Sequence, residues 1–272
     1  MDIGKCFKDA WGLFKLDLGP LIVTAIVGAV VIGVVAAFTL GASLAGVFAT
    51  SSDGDVNGLA IGGLVVGILV LIVVSVLVGA WQYATLYGML IARVREGRAA
   101  EYGDMSRYFG LIGAFIVANI VLGIIIGIGY VLLIIPGIIF TTWWLFTWLC
   151  MVDQKLGFGE AMSASKELAS RAGFWNVLGA WIVGAIVWVV VSAVLGVIPY
   201  LGSIISMLLG PYALAYTVSM YFQARGEAQL IDAALGVGPA QPAMAAPDLP
   251  APPAYQPATP YTAPPAPPVY QP

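Results

Sequence analysis

Apolar residues run almost without interruption through six stretches of this chain, at about 18–48, 59–92, 109–135, 137–152, 174–198 and 203–223. About 20 helical residues, rising 1.5 Å each, cross the roughly 30 Å hydrocarbon core of a bilayer. The pattern therefore predicts an all-α fold, a polytopic transmembrane helix bundle with six spans inside residues 18–225. The first stretch would reach about 46 Å as a single helix, so it must tilt or project, and Gly41 is where it is expected to weaken.

Two polar segments carry a helical stripe of their own. Residues 1–17, running on into Leu18, place Ile3, Phe7, Trp11, Phe14 and Leu18 three or four positions apart, with Lys5, Lys8, Asp9 and Lys15 on the other side. That stripe predicts an amphipathic helix in the headgroup plane, and the same pattern also suits a cap packed on the bundle. Residues 157–172 repeat it, with Phe158, Met162, Ser165, Leu168 and Ala169 opposite Glu160, Lys166, Glu167 and Arg171, and Gly173 placed to end the helix. A weaker version holds Tyr102, Met105 and Phe109. The chain thus reads as one unit repeated three times: an in-plane helix, a span, a short outer turn and a span back.

Ile135-Pro136-Gly137 is either a turn between two spans or a kink within one, because proline is tolerated in membrane helices. Charge decides between them. With a turn there, all 11 basic residues fall on one face: Lys5, Lys8, Lys15, Arg93, Arg95, Arg98, Arg107, Lys155, Lys166, Arg171 and Arg225. The positive-inside rule makes that face, and with it both termini, cytoplasmic.

Composition agrees with the runs: 61% of residues are hydrophobic and 9% charged, against about 25% charged in soluble domains. There is no histidine, the commonest general base and metal ligand, and no Asp, Glu, Lys or Arg inside a predicted span. Ion-coupled pathways generally keep an intramembrane charge, which argues against a proton-coupled transporter or a charged selectivity ring. Cys6 and Cys150 both fall on the cytoplasmic face, where thiols stay reduced. We expect no cofactor, no metal site, no enzymatic activity and no nucleic-acid partner.

Few residues within the spans are polar. Asn119 is the leading candidate for a lipid or substrate contact, followed by Gln82, against the commoner role of a membrane amide in joining helices. Trp143 and Trp144 lie far enough into the fourth span to line a lipid-facing groove. The pairs Gly58/Gly62, Gly63/Gly67, Gly123/Gly127 and Ala180/Gly184 have the spacing that lets helices approach closely, a packing feature rather than a site. The last segment, 226–272, holds 13 of the 17 prolines and is expected to be disordered and to sample polyproline II conformations. Within it, Pro252, Pro253 and Tyr255, and again Pro267, Pro268 and Tyr270, match the PPxY pattern that WW domains read, so a protein partner is one expectation and a plain tether another.

Several short motifs carry a likeness. Ile135-Pro136-Gly137-Ile138-Ile139-Phe140, Val152-Asp153, and Phe158-Gly159-Glu160-Ala161-Met162-Ser163-Ala164-Ser165 follow one another in order, after an opening with Ile3-Gly4, Phe7, Ala10-Trp11, Phe14 and Gly19-Pro20. The chain resembles the membrane domain attached to some bacterial glycerophosphodiester phosphodiesterases, and its stand-alone YciC-like relatives. The resemblance implies a six-span bundle with its N-terminus inside a bacterial cytoplasmic membrane. It carries over no activity, because the reaction belongs to a separate histidine-bearing barrel and a proline-rich segment stands in its place. The expectation is a non-enzymatic scaffold that organises membrane lipid or a partner, with a small permease or lipid-handling transporter as the alternative.

Overall fold

The structure is a computed structural model, and it describes residues 1–50, 58–197 and 201–237. They form helices α1 (Ile3–Leu16), α2 (Leu18–Thr50), α3 (Gly58–Glu96), α4 (Asp104–Arg107), α5 (Ile112–Leu132), α6 (Ile134–Trp143), α7 (Thr147–Asp153), α8 (Phe158–Arg171), α9 (Phe174–Gly196), α10 (Leu201–Ala224) and α11 (Ala228–Ala234). Among the described residues there is no strand. Six segments are long and apolar enough to cross a membrane: Leu18–Ala42, Gly62–Glu96, Asp104–Leu132, Ile134–Asp153, Phe174–Gly196 and Ile204–Ala224. The protein is an all-α, six-span bundle. Residues 51–57, 198–200 and 238–272 lie outside the described residues.

Sequential spans pair as hairpins, α2 with α3, α5 with α6, and α9 with α10. In the first, Gln82 crosses to the backbone of Ala25 over Gly28, and in the last Tyr216 crosses to Ala180 over Gly184. Ala180/Gly184 is therefore a used close approach, whereas Gly123 and Gly127 face open space. The amphipathic elements dock elsewhere: α1 on α10, α4 on α3, and α8 on α6 and α7.

The core lies at the end of the bundle that carries the basic residues. Met89, Leu90, Phe115, Phe146, Leu149 and Tyr221 are fully buried there, contributed by α3, α5, the α6–α7 junction, α7 and α10. Away from that end the helices present apolar surface, with Phe38 81% exposed on α2 and Val131 86% exposed on α5. Such surface is stable only against hydrocarbon, where an intact helix also satisfies its own backbone.

Five details depart from the sequence reading. α2 runs through Gly41 without a break, because a helix in lipid has no water to replace a lost backbone bond. The third span ends at Leu132 and the turn is Leu133, which is extended at φ −158° and ψ 132°. Pro136 sits instead in the first turn of α6, where a missing N–H costs no helical bond. The fourth span is two helices, α6 and α7, parted at residues 144–146.

The other two concern the ends of the chain. α1 is packed along α10, the second of the two arrangements its stripe allows. Its contacts step from Gln223 back to Tyr212 as its own numbering rises from Asp2 to Phe14, so it runs antiparallel to α10. Cys6, Ala10, Leu13 and Phe14 are buried, and Trp11, expected on the apolar face, is 48% exposed. Finally, residues 226–237, expected to be disordered, fold back as α11, with Ile231 fully buried and Leu235 packed against Gly12.

Candidate functional site

Asn119 faces a groove between α3 and α5, lined also by Leu71, Ser75, Gly79, Ala80 and Tyr83, with a volume of about 480 Å³. The groove is open along its side and almost wholly apolar. The Asn119 amide donates to the Phe115 carbonyl at 2.9 Å, one turn back on its own helix. All the lining residues fall within spans, so the groove opens to the hydrocarbon of the bilayer.

Gln82 is not part of that groove. Its Nε2 donates to the Ala25 and Thr24 carbonyls of α2 at 3.2 and 3.4 Å. A side chain at position 28 would overlap its amide, so Gly28 is what admits it. The groove therefore holds one of the two amides, and the other is used to join α3 to α2.

Trp143 and Trp144 also stand apart from the groove, at the junction that parts α6 from α7. The Lys166 ammonium lies 4.6 Å from the Trp143 ring centre, and Trp144 stacks on Phe140 at 5.2 Å. Ser165 of α8 repairs the interrupted backbone: its Oγ donates to the Trp143 carbonyl at 2.8 Å and accepts from the Phe146 N–H at 3.1 Å. The two tryptophans thus mark a helix junction held by α8. The PPxY residues Pro252, Pro253, Tyr255, Pro267, Pro268 and Tyr270 lie outside the described residues.

The most concentrated chemistry is an ionic cluster where α3, α7 and α10 converge. Arg95 donates from Nε and Nη2 to both oxygens of Asp153, at 2.8 and 2.7 Å, and its Nη2 also lies 2.7 Å from Glu227. Arg225 forks onto Glu227 through Nε and Nη2, both at 3.1 Å. Tyr221 binds the pieces together, donating to Asp153 at 2.8 Å and accepting from Gln154 and Arg225 at 3.1 and 3.2 Å. Both guanidiniums also lie over rings, Arg95 on Phe222 and Arg225 on Tyr221. Burial works against the charge of Arg225, but the hydrogen bonds it donates to Glu227 outweigh it and raise its pKa above the ordinary value.

This cluster was not foreseen from sequence, where the same charges read as topological markers. Its signals were Arg95 within a basic run and Asp153 as the acid closing an apolar span; nothing local says that they meet. A second polar contact ties the two chain ends. Lys5 bridges Asp9 and Asp232, and Asp9 accepts from Ser219 at 3.1 Å. Among the described residues, no group of three or more His, Cys, Asp or Glu is placed to hold a metal. Compared with protein-family models, curated proteins and solved structures, the chain matches none.

Proposed function

We propose that the protein is a non-enzymatic scaffold of the bacterial cytoplasmic membrane that retains and organises lipid through the groove between α3 and α5. The observation that supports this reading is the relation of Asn119 to Gln82. A permease needs its polar groups around a common cavity, but the Gln82 amide is spent on the α2 backbone and does not line the void beside Asn119, which opens sideways into the bilayer. An apolar groove at that depth suits an acyl chain, and Ser75, Tyr83 and Asn119 are its few polar points.

In this reading the basic end faces the cytoplasm, and each amphipathic element clamps the returning span of the preceding unit, with α1 closing the ring onto α10. The likeness to the phosphodiesterase membrane domain fits such an arrangement without bringing that family's chemistry. The segment from 238 on serves as a cytoplasmic tether, available to a WW-type partner.

The test is native mass spectrometry of full-length protein extracted in a gentle detergent. A retained phospholipid adduct is expected for the native chain and for Val194→Trp, whose exposed position on α9 is no part of the groove. Ser75→Trp, which fills the groove, should lose the adduct. Equal retention in both variants, or none in the native chain, would overturn the groove as the lipid site.

A further inference from the structure

Arg95 and Arg225 reach the same carboxylate oxygen from different helices. Glu227 Oε2 lies 2.7 Å from Arg95 Nη2 and 3.1 Å from Arg225 Nε, while its other oxygen takes the second prong of Arg225. Both guanidiniums are positioned independently of Glu227. Arg95 is fixed by its two bonds to Asp153 and by Phe222, and Arg225 by the Tyr221 hydroxyl and ring. Two planar donors converging on one oxygen form the geometry in which arginines recognise phosphate.

The two acids of the cluster differ in how firmly they are held. Asp153 is 4% exposed and hydrogen-bonded to Tyr221 as well as Arg95. Glu227 is 26% exposed and sits on a turn that follows Gly226, whose φ of +74° reverses the chain. It reaches its arginines from a short connection rather than from a span, so rotation of one side chain would vacate the site while α11 stays docked. The cluster also lies at the level where the spans containing Arg95 and Asp153 end, at Glu96 and Asp153, the depth of the headgroups.

We propose that Arg95 and Arg225 form a binding site for a phosphate group, which Glu227 occupies as a built-in competitor. The phosphate belongs to a phospholipid headgroup or is free in solution; the chemistry of recognition is the same. The site is independent of the groove between α3 and α5, whose nearest lining residue on α3, Tyr83, precedes Arg95 by about 18 Å of helix.

The experiment measures binding of dioctanoyl phosphatidylglycerol, inorganic phosphate and dioctanoylglycerol to full-length protein in non-ionic detergent. Glu227→Gln removes the competing charge and should bind phosphatidylglycerol on the order of 10-fold tighter than the native chain. Adding Arg225→Gln to that variant should abolish the gain, and Arg225→Lys, which keeps charge without the fork, should restore only part of it. Competition by inorganic phosphate would show that the phosphate group suffices, and its failure to compete would identify the lipid headgroup as the source. Unchanged affinity in Glu227→Gln, a gain that survives Arg225→Gln, or equal binding of phosphate-free dioctanoylglycerol would overturn the proposal. Melting temperatures of the variants, taken alongside, separate lost binding from lost fold. Loss of the groove adduct in Ser75→Trp leaves these outcomes untouched, so the two readings fail separately.

Discussion

Arg95 and Asp153 share two hydrogen bonds, at 2.8 and 2.7 Å, across the contact between α3 and α7. They are 58 residues apart in sequence, and Asp153 is nearly inaccessible. Removing one charge of such a pair leaves the other buried and underpaired, which costs more than the pair contributes. Asp153→Asn is expected to destabilise the protein by about 3 kcal/mol in denaturant unfolding in detergent. In the double variant with Arg95→Gln, the loss should fall short of the sum of the single losses by at least about 1 kcal/mol. Additive losses would mean that the two residues do not act as a pair.

Gly28 gives a local version of the same test. A Cβ there would stand 2.6 Å from the Gln82 amide, close enough to displace it from the Ala25 carbonyl. Gly28→Ala should cost about 1 kcal/mol, the net worth of a typical hydrogen bond, even though alanine is the better helix former. Gln82→Ala in the same chain should recover most of it, since the carbonyls left behind still accept their helical bonds. A Gly28→Ala variant as stable as the native chain would show that the amide moves aside without loss.

What was legible in the sequence follows from how far each signal reaches. The six spans were readable because hydrocarbon demands about 20 apolar residues in a row, a condition written locally. Pro136 marked the hairpin but displaced its turn by three residues, because proline suits the first helical turn as well as a loop. Trp11 touches Tyr212 of α10 yet stays half-exposed, since a stripe of threes and fours does not say how much of its width α10 covers. Arg95, Asp153 and Glu227 come from three separate helix ends, and no local pattern records a meeting across 132 positions, from 95 to 227. Asn119 and Gln82 looked equivalent as lone amides; only the direction each takes from its helix distinguishes a groove residue from a helix clamp.

Asp9 sets a pH dependence. Burial raises its carboxyl above the usual range, with Lys5 and Ser219 pulling the other way and Asp232 adding to the rise. The folded chain therefore holds the Asp9 proton more readily than the unfolded chain does. That stabilisation is complete below the unfolded value near 3.9 and is lost as pH rises through the folded value. Asp9→Asn does not titrate, so native stability minus that of Asp9→Asn should grow more positive as the pH is lowered from 7 to 4. Paired thermal melts read the difference, and a flat or falling difference would contradict the sign.

Both cysteines are fully buried, and burial pushes the Cys6 thiol up to about 11. At pH 8 so little thiolate remains that maleimide labelling of Cys6 should be slower by on the order of 100-fold than for an ordinary thiol. The native chain is therefore a silent background for topology. If the basic end faces the cytoplasm, a cysteine introduced at Ser52 should be labelled by an impermeant maleimide added to intact cells. Labelling that appears only after lysis would invert the orientation.

The boundary between the folded chain and its proline-rich end is placed by Ile231. Residues up to 237 are tied down by three contacts of different kinds: Ile231 without exposure, Leu235 against Gly12, and Lys5 between Asp9 and Asp232. Burial resists the charge on Lys5, yet its bonds to Asp232 and Asp9 raise its pKa, so the tie is intact at neutral pH. Ending the chain after Val237 removes none of these, and its melting midpoint should match the full chain within about 0.5 kcal/mol of stability. Ending it after Arg225 removes all three and unpairs Arg95 from Glu227, so the loss should exceed that of Ile231→Ala alone, itself about 2–4 kcal/mol. If both truncations melt like the full chain, α11 contributes nothing to the fold and Glu227 is free to leave its arginines. If only the shorter chain is destabilised, the strap from 226 to 237 is a working part of the basic end, and the proline-rich segment begins where it stops.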